Sequence, residues 1–203
     1  MSNIIQLAPP SRPSPAAPAY AELVATSNFS FLRGGSHPEE LVSAAMHLGL
    51  SGLGICDRNS FAGVVRGHVA ARNLKDEFPN FRYVAGVRLV FADQPPDIVA
   101  YPTDRAAYGR LCQLLTRGNL RAETEKGSCH ITFADLRDFA EGQLFIFLCD
   151  ETRFEQAEAV LANLKKLAPG NVWLAANLTF RGNDRARLNR LADLGARLRG
   201  SLL

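Results

Sequence analysis

An α/β architecture on a mainly parallel sheet is the expectation for this chain, and three observations lead to it. From Tyr20 onward, short apolar runs alternate with helical patterns along the whole sequence. The helical patterns carry recognisable end signals. With 203 residues, 47% of them hydrophobic, the chain can bury a core of its own, as one domain or two small ones.

Six strands are predicted in chain order: "AELVAT" from Ala21, "GLGIC" from Gly52, "RYVAGVRLVF" from Arg82, "DIVAYP" from Asp97, "QLFIFLC" from Gln143 and "NVWLAANL" from Asn171. The first helix is marked at both ends. Ser36-His37-Pro38-Glu39 reads as a capping box with proline in the first turn, Leu41, Ala44, Ala45 and Leu48 follow at helical spacing, and Gly49 can close it. Further helices are expected near 60–74, 104–117, 133–140, 153–167 and 183–199. Strand and helix thus alternate, which implies a mainly parallel sheet, either open or closed into a barrel. There are no internal repeats, and no glycine-rich phosphate loop follows a strand. The two glycines of "GVVRG" lie inside a helical pattern and read as packing contacts.

Residues 1–19 hold five of the eleven prolines and read as a flexible leader that cannot support a packed element. The net charge of +3 and pI near 8.8 fit weak attraction to nucleic acid but decide little. Cys56, Cys112, Cys129 and Cys149 lie far apart with no CxxC pair, which argues against a zinc ribbon or a disulfide framework. They are expected to be reduced thiols in a cytoplasmic protein. No basic segment leads into an apolar run at the N-terminus, and no stretch approaches the roughly 18 apolar residues of a membrane span.

In parallel sheets and barrels functional side chains gather at the carboxyl ends of strands. There the chain reads "ELVATSNFSFLRGGSHPEEL", "GICDRNSFAGVV" and "VAGVRLVF". Together these resemble the PHP (polymerase and histidinol phosphatase) domain that opens the bacterial C-family DNA polymerases of the polymerase III alpha-subunit type. "CDRNSFAGVVRGHVAA", "YPTDRAAYGRLCQLLTRGN" and "KGSCHITFADL" look like its error-prone, damage-inducible branch. The resemblance runs from about Tyr20 to Arg199. It implies a PHP-type distorted (βα) barrel over residues 20–203, incomplete at its C-terminal end, with the palm, fingers and thumb of such polymerases absent.

Active PHP domains carry His-x-His on the first strand, so that both imidazoles face one metal cluster. Val24 and Thr26 stand at those positions. The second motif supplies an aspartate and a histidine; here Asp57 is followed by Arg58. Arg88 stands where a glutamate should follow "AGV", and Asp97 falls where a later histidine would be. A guanidinium offers a metal no lone pair, so this vestigial site should hold no cluster. No cofactor is expected in this chain, while Mg²⁺ is expected for the polymerase core of a parent enzyme.

Each residue also has a plainer reading. Asp57 can be a helix N-cap or an ordinary ion-pair partner. Arg88, inside an apolar strand, is expected to stand in for the lost metal by pairing with Asp57 within about 4 Å, with Arg58 pointing away. His37 reads as the first residue of its helix, and His47 and His68 as surface or partly packed. Cys129 and His130, taken as strand neighbours, should face opposite ways. The arginines of "FRGNDRARLNRLADLGARLRG" read as an exposed helix face rather than a DNA contact.

The resemblance implies a non-catalytic PHP module of an error-prone DNA polymerase, acting in DNA damage tolerance and translesion synthesis. The alternative is a metal-dependent phosphoesterase of the PHP superfamily, acting on phosphate esters or misincorporated 3′ ends. The implied partners are the remainder of the polymerase chain, DNA through the parent enzyme, and other translesion-synthesis proteins, with no membrane.

Overall fold

The computed structural model describes residues 19–121, 127–149, 154–178, 180–198 and 201–202. The expected leader, but for residue 19, lies outside the described residues. Among these residues seven strands form one sheet whose order follows the chain: β1 (Ala21–Ala25), β2 (Gly52–Arg58), β3 (Arg82–Leu89), β4 (Ile98–Pro102), β5 (Gln143–Phe147), β6 (Val172–Leu174) and β7 (Ser201–Leu202). All six predicted strands are present; β7 was not anticipated. β4 runs antiparallel to β3 and β5, while every other pairing is parallel. The β3–β4 connection explains the reversal. It contains Gln94 in the left-handed region and then Pro95-Pro96, and it is too short for the crossover that a parallel return requires.

Among the described residues five α-helices flank the sheet: α1 (Pro38–His47), α2 (Val64–Asn73), α3 (Arg105–Asn119), α4 (Phe154–Leu167) and α5 (Asp184–Arg197). α1 starts one residue later than its sequence signal suggests. His37 rather than Ser36 is the N-cap, Pro38 takes the first position, and the His37 N–H donates to Glu40 Oε2 at 2.8 Å. Gly49, at φ 76°, follows the end of α1 as expected. The helix expected at 133–140 is instead a single 3₁₀ turn, Asp135–Asp138. The Asp135 carboxylate accepts from both the backbone N–H and the hydroxyl of Thr132, and this local bonding favours a turn over a helix.

The sheet has two faces with different occupants. On one, Leu53 and Ile55 pack with Val42, Ala45 and Met46 of α1, while Val87, Leu89, Ile98, Phe145, Phe147 and Leu174 pack with apolar residues of α3, α4 and α5. On the other, Cys56, Val99, Tyr101 and Ile146 form a smaller cluster with Leu23 and Val24. Tyr101 spans this inner face. Its ring crosses Gly86 of β3 and Gly54 of β2, and its hydroxyl donates to the Leu23 carbonyl on β1. The sheet is curled, and Tyr101 on β4 is tied to β1 across it. A Cβ at Gly54 or Gly86 would overlap the ring, so glycine is required there for close approach.

Gly86→Ala is therefore expected to destabilise the chain by about 1–3 kcal/mol through overpacking. Tyr101→Phe, which removes one hydrogen bond, should cost about 1 kcal/mol. Gly109 in α3 has open space where its Cβ would go, so Gly109→Ala should be neutral or stabilising by up to about 1 kcal/mol. Urea denaturation of the three variants checks the order.

Candidate functional site

The carboxyl ends of β1 and β2 meet the loop that joins β1 to α1. Asp57, near the end of β2, is only 2% exposed. Its Oδ1 accepts from the backbone N–H of Ser27 at 2.9 Å and from the Ser30 hydroxyl at 2.7 Å, and its Oδ2 accepts from the Ser27 hydroxyl at 2.7 Å. Ser30 Oγ in turn accepts from the Arg58 N–H at 2.8 Å. The loop closes on itself as well. Ser36 O accepts from Asn28 N, and Ser30 O accepts from both Arg33 N and Gly34 N. Gly34 lies so close to the Ser27 carbonyl that a side chain there would overlap it.

The first turn of α2 covers the carboxylate from the other side. Gly63 is the N-cap of α2, and a Cβ there would lie 3.1 Å from Asp57 Oδ2 and 3.1 Å from the Phe29 ring. A helix N-terminus favours negative charge, so it adds to the three hydrogen bonds. Asp57 is thus neither a helix cap nor an ion-pair partner; it is the acceptor around which the β1–α1 loop is built.

Arg88 does not pair with Asp57. Its Nε and one terminal nitrogen each lie 2.8 Å from Asp97 Oδ2. Strand register supplies the reason. In the parallel β2–β3 ladder Asp57 is aligned with Val87, and Arg58 with Arg88. Side chains aligned across a parallel pair share a face and alternate along each strand. Asp57 shares the helix-covered face of Val87, whereas Arg88 projects from the inner face, where Asp97 precedes β4.

The other predicted positions divide the same way. Val24 packs in the inner cluster, and Thr26 lies just beyond the end of β1. Arg58 is exposed at the end of β2. Cys56, on the inner face, has its thiol pushed up to about 12 by burial, far from the thiolate a metal needs. The residues present do not fit a divalent-metal cluster. Asp57 is occupied by serines, Asp97 by Arg88, and among the described residues no group of three His, Cys, Asp or Glu side chains could hold a metal ion.

Sequence reasoning missed Ser27 and Ser30, although two serines three residues apart directly after a strand are a visible sign of local side-chain bonding. It also missed Asn59. This residue sits at φ 45°, and its side-chain amide exchanges hydrogen bonds with the backbone of Val90, 2.8 Å to the carbonyl and 2.9 Å from the N–H. The amide prolongs the β2–β3 ladder by one step. His37 is an N-cap rather than the first helical residue. His47 packs against Phe78 with the rings tilted and their centroids 5.4 Å apart, and His68 is exposed on α2. Cys129 and His130 are not on a strand, so the argument from strand faces does not apply to them. Arg187 departs from the expected exposed face. It is 7% exposed and donates to Asn177 Oδ1 and Asp184 Oδ1.

A protein-family model for the PHP domain matches residues 22–177. Over 191 residues the chain is 51% identical to an error-prone DNA polymerase of Bradyrhizobium diazoefficiens, covering 92% of this chain and 16% of that protein. Error-prone DNA polymerases of Brucella abortus and Caulobacter vibrioides are 49% and 48% identical over 178 residues, again with 16% of their length covered. The chain spans about one sixth of the length of these curated relatives. Two solved structures share the fold. One is a Bifidobacterium adolescentis protein proposed to be a metal-dependent phosphoesterase, at TM-score 0.60 and 13% identity over 90% of this chain and 85% of that one. The other is an amidohydrolase of Chromobacterium violaceum with bound sulfate and no metal, at TM-score 0.62 and 12% identity over 91% and 87%.

Asp57→Ala strands three buried donors and is expected to cost about 3 kcal/mol or more. Arg88→Ala breaks a pair whose arginine side chain is 37% exposed, and should cost about 1 kcal/mol or less. Equal losses in denaturant melts would contradict this assignment.

Proposed function

We propose, since this chain belongs to the PHP domain family, that it is the non-catalytic PHP module of an error-prone DNA polymerase, serving translesion synthesis in DNA damage tolerance. One observation carries the non-catalytic reading. At the inner carboxyl end of β3, where a ligand glutamate is expected, Arg88 stands and clasps Asp97. A fixed cation bonded to a neighbouring acid repels a second cation and withdraws that acid's oxygen from coordination. The relatives named error-prone DNA polymerase support the parent enzyme.

On this reading the residues of the site are architectural. Asp57 fixes the β1–α1 loop, Tyr101 holds the curl of the sheet, and the Arg88–Asp97 pair ties β3 to the start of β4. Nucleotidyl transfer belongs to carboxylate-held magnesium elsewhere in a parent polymerase, and DNA and other translesion-synthesis proteins meet the module through that parent. The cytoplasm is the corresponding compartment; no helix among the described residues is long and apolar enough to cross a membrane. The phosphoesterase reading needs several donors converging on a metal-activated hydroxide, and the described residues supply no such group.

The purified chain is expected to carry far less than one equivalent of manganese or zinc by elemental analysis. It should leave a generic phosphodiester intact and extend no primer. A tight site in titration calorimetry, with hydrolysis that tracks its occupancy, would restore the phosphoesterase.

A further inference from the structure

The β1–α1 loop is held rigid and yet turns its largest apolar side chains outward. Phe31 and Leu32 are each 85% exposed, and Val65, on the first turn of α2, is 70% exposed. Phe29, partly exposed, joins the two elements: it lies against Gly63, and the Arg66 guanidinium stacks 5.9 Å from its ring centroid. Leu32 adopts a left-handed backbone at φ 58°, a conformation that a branched side chain takes at a cost. The surrounding hydrogen bonds to Asp57, Ser30 and Ser36 hold it there. Adjacent exposed apolar side chains on a preorganised loop have the character of a contact surface, since docking them forfeits little conformational entropy.

We propose that this loop, through Phe31 and Leu32 with Phe29 and Val65 beside them, docks on the remainder of the parent polymerase chain. The inference rests on the module reading and names the surface that reading requires. Two observations select the occupant. The curated relatives extend over about six times the length matched here, and a covalently joined surface meets the loop at a far higher effective concentration than a free partner does. Beside Leu32, Arg33 is exposed and carries no ion pair among the described residues. In a two-fold contact between copies the same patch faces itself, so Arg33 of each copy meets a surface that carries its own charge. The complementary surface is therefore apolar with acidic residues at its edge.

The test joins all 203 residues in place of the matching N-terminal part of the Bradyrhizobium diazoefficiens relative, and compares the thermal unfolding of the module there with that of the free chain. Docking predicts a higher melting temperature in the joined protein. The variant F31S/L32S should abolish that shift and leave the melting temperature of the free chain unchanged. Val65→Ser, on the helix and outside the loop, should reduce the same shift, which keeps the test decisive if the loop variant folds poorly. A shift that survives both variants overturns the proposed surface; if that joined protein still extends primers, the module reading stands. A joined protein with neither shift nor primer extension overturns the module reading and the surface with it. A free chain that sediments as a dimer, and as a monomer once F31S/L32S is introduced, overturns the proposal in favour of a second copy.

Discussion

The buried carboxylate of Asp57 is the constraint from which the arrangement at the carboxyl end of the sheet follows. A carboxylate out of water needs donors, and here they come from a loop that belongs to a different strand. Meeting that need fixes Ser27 and Ser30 in space. Fixing them sets the path of the loop from β1 into α1, and the Ser30–Arg58 bond locks the same loop to the end of β2. Gly63 then lets the first turn of α2 close over the carboxylate. One acidic side chain thus coordinates a strand end, a loop and two helix starts.

The two acids at the site leave no unbalanced charge in this fold, because they lie on opposite faces of the sheet with separate partners. Asp57 faces the helices and is satisfied by hydroxyls, a backbone N–H and a helix N-terminus. Asp97 lies at the inner mouth and is satisfied by Arg88. The arginine neutralises its neighbour on its own face, and the apolar remainder of the inner face is filled by Tyr101, Val99, Ile146 and Val24. Each side is internally satisfied.

Much of this was legible in the sequence, and the failures have a common physical origin. Strand positions were readable because apolar runs bounded by turn residues are a local signal, and the glycines of "GVVRG" were readable as packing positions because each interrupts a helical pattern. The Arg88 partner was not readable. Choosing between Asp57 and Asp97 requires the β2–β3 register, and a shift of one residue exchanges the two faces. The α1 cap moved by one residue, to His37, because the spacing of Pro38 and Glu40 outweighed the serine signal. At 133–140 a turn held by Thr132 and Asp135 displaced the helix that the apolar spacing suggested. The burial of Arg187 depends on Asn177, ten residues away on another segment, and no helical pattern encodes that contact.

Asp57 is satisfied by the loop and is indifferent to Arg88, and double-mutant cycles in urea denaturation test this most directly. Asp57→Ala combined with Ser30→Ala should show a coupling of about 1 kcal/mol or more, because the two side chains share a buried hydrogen bond. Asp57→Ala combined with Arg88→Ala should be additive to within about 0.5 kcal/mol, as expected for groups on opposite faces with separate partners. The reverse pattern, strong coupling to Arg88 and none to Ser30, would contradict the account.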